Sequence, residues 1–140
     1  MRYQFTATQV NFVVESFDDA FPSVLAGGFA TNGNDEGQLD KYLMLQRCIE
    51  NDPDNDGYHV EWCDQSNANY ECIKSFVLKR NSAQVIFTDE AEIVVDPNEE
   101  THILLTELLV EFDLNDEEFT KLGNNLRDII FRECDVFTLS

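Results

Sequence analysis

Three aspartates stand at alternate positions, Asp52, Asp54 and Asp56, and are followed by Gly57 in the segment DPDNDGYHVEW. An EF-hand calcium loop begins in this way, with oxygen ligands at positions 1, 3 and 5 and glycine at position 6. Position 12 of such a loop would be Cys63, and a thiol does not replace the bidentate glutamate that a hard cation needs there. The three aspartates therefore form a candidate calcium loop without its last ligand.

The same segment also has the composition of a turn between two strands. Proline sets φ for a turn, Asp and Asn side chains accept hydrogen bonds from backbone N–H groups, and Asp-Gly favours positive φ. The flanking residues 41–49 and 58–62 have strand patterns, and a strand–turn–strand unit needs no metal. We interpret 52–57 as an acidic turn in which Gly57 has a structural role, and we expect no metal and no cofactor.

Residues that could catalyse a reaction are few. The two histidines, His59 and His102, lie far apart in the sequence. A nucleophilic pair of His59 with Cys63 is chemically conceivable, but both residues also suit ordinary strand or loop positions. The chain lacks the G-x-S-x-G and H-E-x-x-H motifs and a glycine-rich phosphate loop. We therefore predict that the protein is not an enzyme.

Alternating or continuous apolar segments predict a series of short strands. Near Thr8 and Gln9 the alternation changes phase, which indicates a bend or bulge. Gly27 and Gly28 predict a bulge or a close backbone contact. The predicted strands cover 3–7, 10–14, 24–30, 41–49, 58–62, 72–80, 83–88 and 103–114, whereas 15–23, 31–40 and 64–71 are predicted loops and 91–95 fits a strand or a helix.

Two of these segments give predictions for individual side chains. Residues 72–80 and 83–88 form a predicted hairpin with its turn at Asn81 and Ser82. Its expected inward side chains, and those expected to share one face of 103–114, are Ile73, Val77, Val85 and Phe87, and Thr106, Leu108, Val110 and Phe112.

The hydrophobic period changes to that of a helix after Asn115. Asn115 is a good N-cap and Glu118 stands three residues later, which makes a capping box. The predicted helix, residues 116–133, has an apolar stripe of Phe119, Leu122, Leu126, Ile129 and Ile130. One domain over residues 1–140 follows, of the α+β class: a mainly antiparallel, curved up-and-down β-sheet with one C-terminal amphipathic helix packed on it and a short tail from Asp135.

The charge balance is strongly acidic, with 9 Lys and Arg against 28 Asp and Glu and a formal net charge of -19. This charge disfavours nucleic acid and anionic membrane surfaces as partners, because phosphate neutralisation needs clustered Lys and Arg. It attracts basic proteins and cations. The four cysteines show no C-x-x-C spacing, and no apolar segment approaches the ~20 residues of a membrane span. We expect a cytoplasmic protein with reduced thiols.

The segment KYLMLQRCIENDPDNDGYHVEWCDQSN resembles the immunity protein 10 family of bacterial polymorphic-toxin systems. The likeness rests on residues 42–47, on Gly57-Tyr58-x-Val60-Glu61 and on Asp64-Gln65. It extends more loosely over 73–80, over the strand at 28–30 and over FDLNDEEF, whereas SNANYE departs from the glycine-rich loop expected after Gln65. The resemblance implies a small α+β protein that binds and neutralises a cognate toxin.

Several residues are candidates for binding a partner. The acidic loops 34–40 and 50–56 are expected to attract a basic toxin, for which a nuclease is one candidate. Glu61 and Trp62 lie on the strand that follows the second loop. Arg47 is either an anchoring residue or a structural ion-pair partner of Glu61 or Asp64. The alternative function is an acidic, non-enzymatic module that binds a cation or small ligand. The candidate partner-binding residues are Asp35, Glu36, Asp52, Asp54, Asp56, Glu61 and Trp62.

Overall fold

The computed structural model describes residues 1–16, 23–32, 39–49 and 57–140. Within these residues ten strands form two five-stranded sheets, in the orders β1-β9-β8-β7-β10 and β2-β3-β4-β5-β6. The strands are β1 (Arg2–Thr6), β2 (Gln9–Glu15), β3 (Val24–Asn32), β4 (Leu39–Cys48), β5 (His59–Trp62), β6 (Ala68–Tyr70), β7 (Ile73–Lys79), β8 (Ser82–Phe87), β9 (Glu107–Glu111) and β10 (Phe137–Leu139).

The phase change near Thr8 marks the point where the chain passes from one sheet to the other. β1 ends at Thr6 and belongs to the first sheet, whereas β2 begins at Gln9 and belongs to the second. Phe5 and Phe12 are both buried, because each strand turns its apolar face to the same interior. The bend predicted near Thr8 and Gln9 is confirmed, and it lies where the chain passes between the two sheets.

The second sheet is antiparallel throughout, and β4 lies at its centre. The predicted close backbone contact at the glycine pair is confirmed. A Cβ atom on Gly27 would lie 1.9 Å from the carbonyl oxygen of Asn11, and one on Gly28 would lie 1.9 Å from that of Leu43. Only glycine leaves room for the neighbouring strands at these two positions.

The loop predicted at 64–71 is wrong for its second half, because Ala68–Tyr70 forms β6 and pairs with β5. A turn precedes it, in which the N–H of Asn67 donates to the carbonyl of Asp64 at 3.0 Å. β6 has three residues and lies at the sheet edge. A strand so short and polar has no alternation that the sequence could reveal.

The hairpin of β7 and β8 is confirmed in the first sheet, but the inward position of Val77 is wrong. A register shift between Ile73 and Ser75 reverses the phase of the strand, so that Phe76 and Leu78 are fully buried and Val77 is half-buried. The β9 strand is shorter than predicted. Leu108, Val110 and Phe112 are buried as expected, whereas Thr106 precedes the strand and is exposed.

Each of the two edge strands of the first sheet pairs in parallel with its neighbour. β1 pairs with β9, and β10, which lies in the predicted tail, pairs with β7. Both pairings join segments far apart in sequence, and local patterns carry no information about them.

Aromatic side chains join the two sheets across one hydrophobic core. The Trp62 ring of the second sheet lies 5.6 Å from that of Tyr3 and 5.5 Å from that of Phe5, both in the first sheet. Phe29 of β3 stacks on Phe112, with ring centroids 5.7 Å apart. The two sheets therefore face each other, and the picture of a single up-and-down sheet is wrong.

One helix follows β9, and its predicted start is confirmed. The α1 helix, Asp116–Asn125, is capped by Asn115, whose Oδ1 accepts from the N–H of Glu118 at 2.8 Å, while the Glu118 carboxylate accepts from the N–H of Asn115 at 3.0 Å. The helix continues as a π-helical turn, Leu126–Ile130, and ends earlier than predicted. The α+β class with mainly antiparallel strands and one C-terminal helix is thus confirmed.

Candidate protein-binding surface

The acidic loop residues predicted from the sequence, Asp35, Glu36, Asp52, Asp54 and Asp56, lie outside the described residues. The strands that flank them are described. The segment 33–38 connects to the Leu39 end of β4, and the segment 50–56 follows its Cys48 end. A ten-residue strand spans roughly 30 Å. The two acidic segments therefore join the second sheet at opposite ends.

The Trp62 side chain is fully buried, so that it presents no surface to a partner. Its Nε1 donates to the carbonyl of Val95 at 2.9 Å. Strand alternation explains this placement, because Trp62 shares the inward face of β5 with Val60. The expected partner-binding role of Trp62 does not fit the structure.

Glu61 points to the outer face of the second sheet but is only 7% exposed. Its Oε2 accepts a hydrogen bond from the Tyr42 hydroxyl at 2.6 Å. Burial, and then this hydrogen bond, raise the pKa of Tyr42 well above its usual range. The carboxylate is engaged within the chain, and a direct contact with a partner is not favoured.

The Arg47 side chain points to the inner face of the second sheet, whereas Glu61 points to the outer face. Glu61 is paired with Met44, and alternation turns Met44 outward and Arg47 inward. The Arg47 Nη1 donates to the carbonyls of Ile130 at 3.1 Å and Arg132 at 2.7 Å. The interpreted ion pair of Arg47 with Glu61 or Asp64 is therefore not what the described contacts show: the guanidinium binds the carbonyl end of the helix, and the Asp64 carboxylate accepts from Ser66.

Two further residues singled out in the sequence have clear local surroundings. Gly57 has a φ of 122°, a value that favours glycine, and a Cβ there would lie 3.2 Å from a carboxylate oxygen of Glu71. The His59 ring lies 4.9 Å from that of Tyr70. His59 is the first residue of β5 and Cys63 follows its last residue, so the two are on the order of 10 Å apart or more and do not form a nucleophilic pair.

Metal ligands are not gathered in the described part of the chain, where no three His, Cys, Asp or Glu side chains lie close enough to hold an ion. Likewise, no helix among the described residues is long and apolar enough to cross a bilayer.

The most distinctive surface feature is the connection from β8 to β9, residues 88–106, which we call the arm. Connections longer than about 12–15 residues are uncommon, and many of them are functional. The arm folds back on itself, since the N–H of Val95 donates to Ile103 at 2.8 Å and the N–H of Leu105 donates to Ile93 at 2.7 Å. Ile93 and Leu105 are buried and hold its base in the core.

Side-chain amides of β6 and of the turn before it hold the arm in place. The Nδ2 of Asn67 donates to the carbonyls of Trp62 and Val94, both at 2.9 Å, and its Oδ1 accepts from the N–H of Val94 at 3.0 Å. The Nδ2 of Asn69 donates to the carbonyl of Ala91 at 3.0 Å. The arm therefore has a defined backbone although it is not part of either sheet.

Three large apolar side chains are exposed at the arm. Ile103 is 44% exposed, Leu104 48% and Met1 55%. Met1 lies against the arm because its carbonyl accepts from the N–H of Thr106 at 2.9 Å. We call these three residues the arm patch. These three residues lie on neighbouring segments of backbone, and groups of exposed apolar residues mark interaction sites more often than single ones do.

The arm also lies in the most acidic part of the sequence. Residues 81–120 contain no Lys or Arg. This run of acidic residues without Lys or Arg is visible in the sequence. The exposure of Ile103 and Leu104 is not, because the residue pattern predicts a strand over 103–114. The acidic residues of this run are Asp89, Glu90, Glu92, Asp96, Glu99, Glu100, Glu107, Glu111, Asp113, Asp116, Glu117 and Glu118.

An acidic two-sheet α+β protein with an exposed apolar patch has the features of a protein that binds another protein. A family model described as immunity protein 10 matches residues 6–120. The chain therefore belongs to the immunity protein 10 family, a family of proteins that give immunity against a toxin, and the resemblance seen in the sequence is confirmed. Neither curated proteins nor solved structures gave a match.

Proposed function

We propose that this protein neutralises its cognate toxin by binding it in the cytoplasm, without any chemical reaction. The observation that carries the proposal is the run of residues 81–120, which has twelve acidic residues and no Lys or Arg. Membership of the immunity protein 10 family supports a toxin as the partner.

The charge supports a basic toxin. A net charge of -19 repels nucleic acid and anionic membranes and attracts a positively charged protein. A nuclease-type toxin fits this charge, because an enzyme that binds phosphate carries a basic cleft that an acidic protein can cover.

The acidic segments predicted from the sequence take part in this proposal as steering charges. Along the chain, Asp35 and Glu36 precede the Leu39 end of β4, and Asp52, Asp54 and Asp56 follow its Cys48 end. Charges outside a packed interface act mainly on the association rate. The candidate calcium loop lies outside the described residues, and nothing among the described residues favours a cation-binding function.

An immunity function implies a toxin gene beside the gene of this protein, and the product of that adjacent gene is the direct probe. The two purified proteins are mixed at equal concentration and separated by size-exclusion chromatography, and the activity of the toxin is measured in the same mixture. We expect one stable complex and loss of toxic activity. Separate elution of two folded proteins with full activity would contradict the proposal.

A further inference from the structure

We propose that the arm patch, Met1, Ile103 and Leu104, with its acidic neighbours Asp96, Glu99 and Glu100, is the surface that docks on the basic face of the toxin. The inference rests on the proposed function and names the contact surface for it.

The first argument is the combination of exposure and order. The side chains of Ile103 and Leu104 are about half exposed, yet the backbone carbonyl of Ile103 accepts a hydrogen bond from Val95. Asn67 and the buried Ile93 hold the base of the arm in the protein alone, without any partner. A surface that is already ordered loses little conformational entropy on binding.

The second argument is charge. Glu99 and Glu100 are exposed, and Asp96 is half-buried with its Oδ1 accepting from the N–H of Asn98 at 2.9 Å. No Lys or Arg follows Arg80 until Lys121, and the positive groups beside the patch, the Met1 ammonium and Arg2, bond to the carbonyl of Leu104 and the carboxylate of Glu107. An apolar centre with a polar rim is the usual anatomy of a protein interface, and an acidic rim selects a partner with Lys and Arg around its own apolar centre.

The third argument is position. The arm is bound to Trp62 and Asn67, which lie at the end of β5 that faces the Leu39 end of β4. The segment with Asp35 and Glu36 joins the sheet at that same end, whereas the segment with Asp52, Asp54 and Asp56 joins it at the other. The far segment therefore supplies an internal control with the same number of charges.

The apolar contribution is tested by the double variant I103S/L104S. The probe is the toxin encoded by the adjacent gene, and rates are measured by surface plasmon resonance with the full-length protein. We expect dissociation to become about tenfold faster or more, since apolar anchors act mainly on the dissociation rate. The matched control is V13S/V14S on β2, where both valines are similarly exposed, and its rates should stay at the wild-type values.

The charge contribution is tested by comparing D96N/E99Q/E100Q with D52N/D54N/D56N, since each removes three negative charges. Both variants should associate more slowly at low salt, and only the arm variant should also dissociate faster. Hydrogen exchange of the wild-type complex provides a measurement without substitutions, and amides within 96–105 should gain protection.

Wild-type dissociation rates for both arm variants, or protection confined to other segments, would overturn the docking surface and leave the proposed function in place. Failure of the wild-type protein to bind the toxin would overturn the proposed function and this inference with it. Faster dissociation of V13S/V14S alone would place the interface on β2 instead.

Discussion

At the scale of single residues, the Asn67 side chain makes two hydrogen bonds to Val94 of the arm and one to Trp62 of the second sheet. Replacing it with Ala removes the side-chain partner of the buried Trp62 carbonyl and of the part-buried N–H and carbonyl of Val94, at a cost of about 1–3 kcal/mol for each buried group that no other partner satisfies. We expect N67A to lower the free energy of unfolding by at least the lower figure in urea titrations.

The control for this prediction is N98A, at an exposed position of the arm, which should stay close to wild type. Equal stability of N67A and N98A would show that these amide contacts do not hold the arm.

Tyr58 gives the protein a defined sensitivity to high pH. Its hydroxyl donates to the carbonyl of Ile73 at 3.2 Å and accepts from the N–H of Ile73 at 3.3 Å, and burial raises its pKa from 10.0 to about 12. Burial also raises the pKa of the Cys72 thiol from 9.0 to about 11. The folded protein keeps these protons to higher pH than the unfolded chain, so both contributions are complete below pH 9.

Stability should therefore fall as the pH rises, from about pH 9 for Cys72 and from about pH 10 for Tyr58. Urea unfolding at a series of pH values measures this loss. The variant Y58F should be less stable at neutral pH and should show a shallower loss between pH 10 and pH 12 than the wild-type protein. Identical slopes for the two proteins would contradict the role of Tyr58.

At the scale of elements, the C-terminal helix supplies a matched pair of substitutions. Ile130 is fully buried, and I130A should cost about 2–5 kcal/mol. Phe119 belongs to the same apolar stripe but is only half-buried, and the Arg80 guanidinium lies 5.0 Å from its ring centroid. F119A should therefore cost less than I130A in chemical unfolding. A larger cost for F119A would contradict this orientation of the helix.

The elements that could be predicted from the sequence are those set by local interactions. The capping box needs only Asn115 and Glu118, three residues apart, and the hairpin of β7 and β8 needs only a turn between two apolar segments. The expected inward position of Val77 on β7 is wrong because the strand shifts register after Ile73. Such a shift leaves no mark in the residue pattern.

The division into two sheets depends on contacts between distant segments. β1 pairs with β9 and β10 pairs with β7, and neither pairing has a local signal. The candidate surface shows the same limit. The acidic run was visible in the sequence, but the exposure of Ile103 and the burial of Trp62 follow from how the arm packs on β5.

At the scale of the whole molecule, the net charge of -19 should make association with the proposed basic toxin dependent on salt. The screening length falls from about 30 Å at 0.01 M to about 8 Å at 0.15 M ionic strength, so the association rate should fall steeply over this range.

D52N/D54N/D56N should leave the thermal unfolding midpoint unchanged and weaken this salt dependence. An unchanged association rate in that variant would contradict a steering role for these aspartates.

Titration of the activity of the adjacent-gene toxin with increasing amounts of this protein tests the central claim most directly. Neutralisation by binding predicts that activity falls in proportion to the added protein and is abolished at equimolar concentration, with the toxin recovered unmodified after the complex is separated in denaturant. Complete inactivation by a small fraction of an equivalent, or full activity in the presence of excess folded protein, would contradict the account.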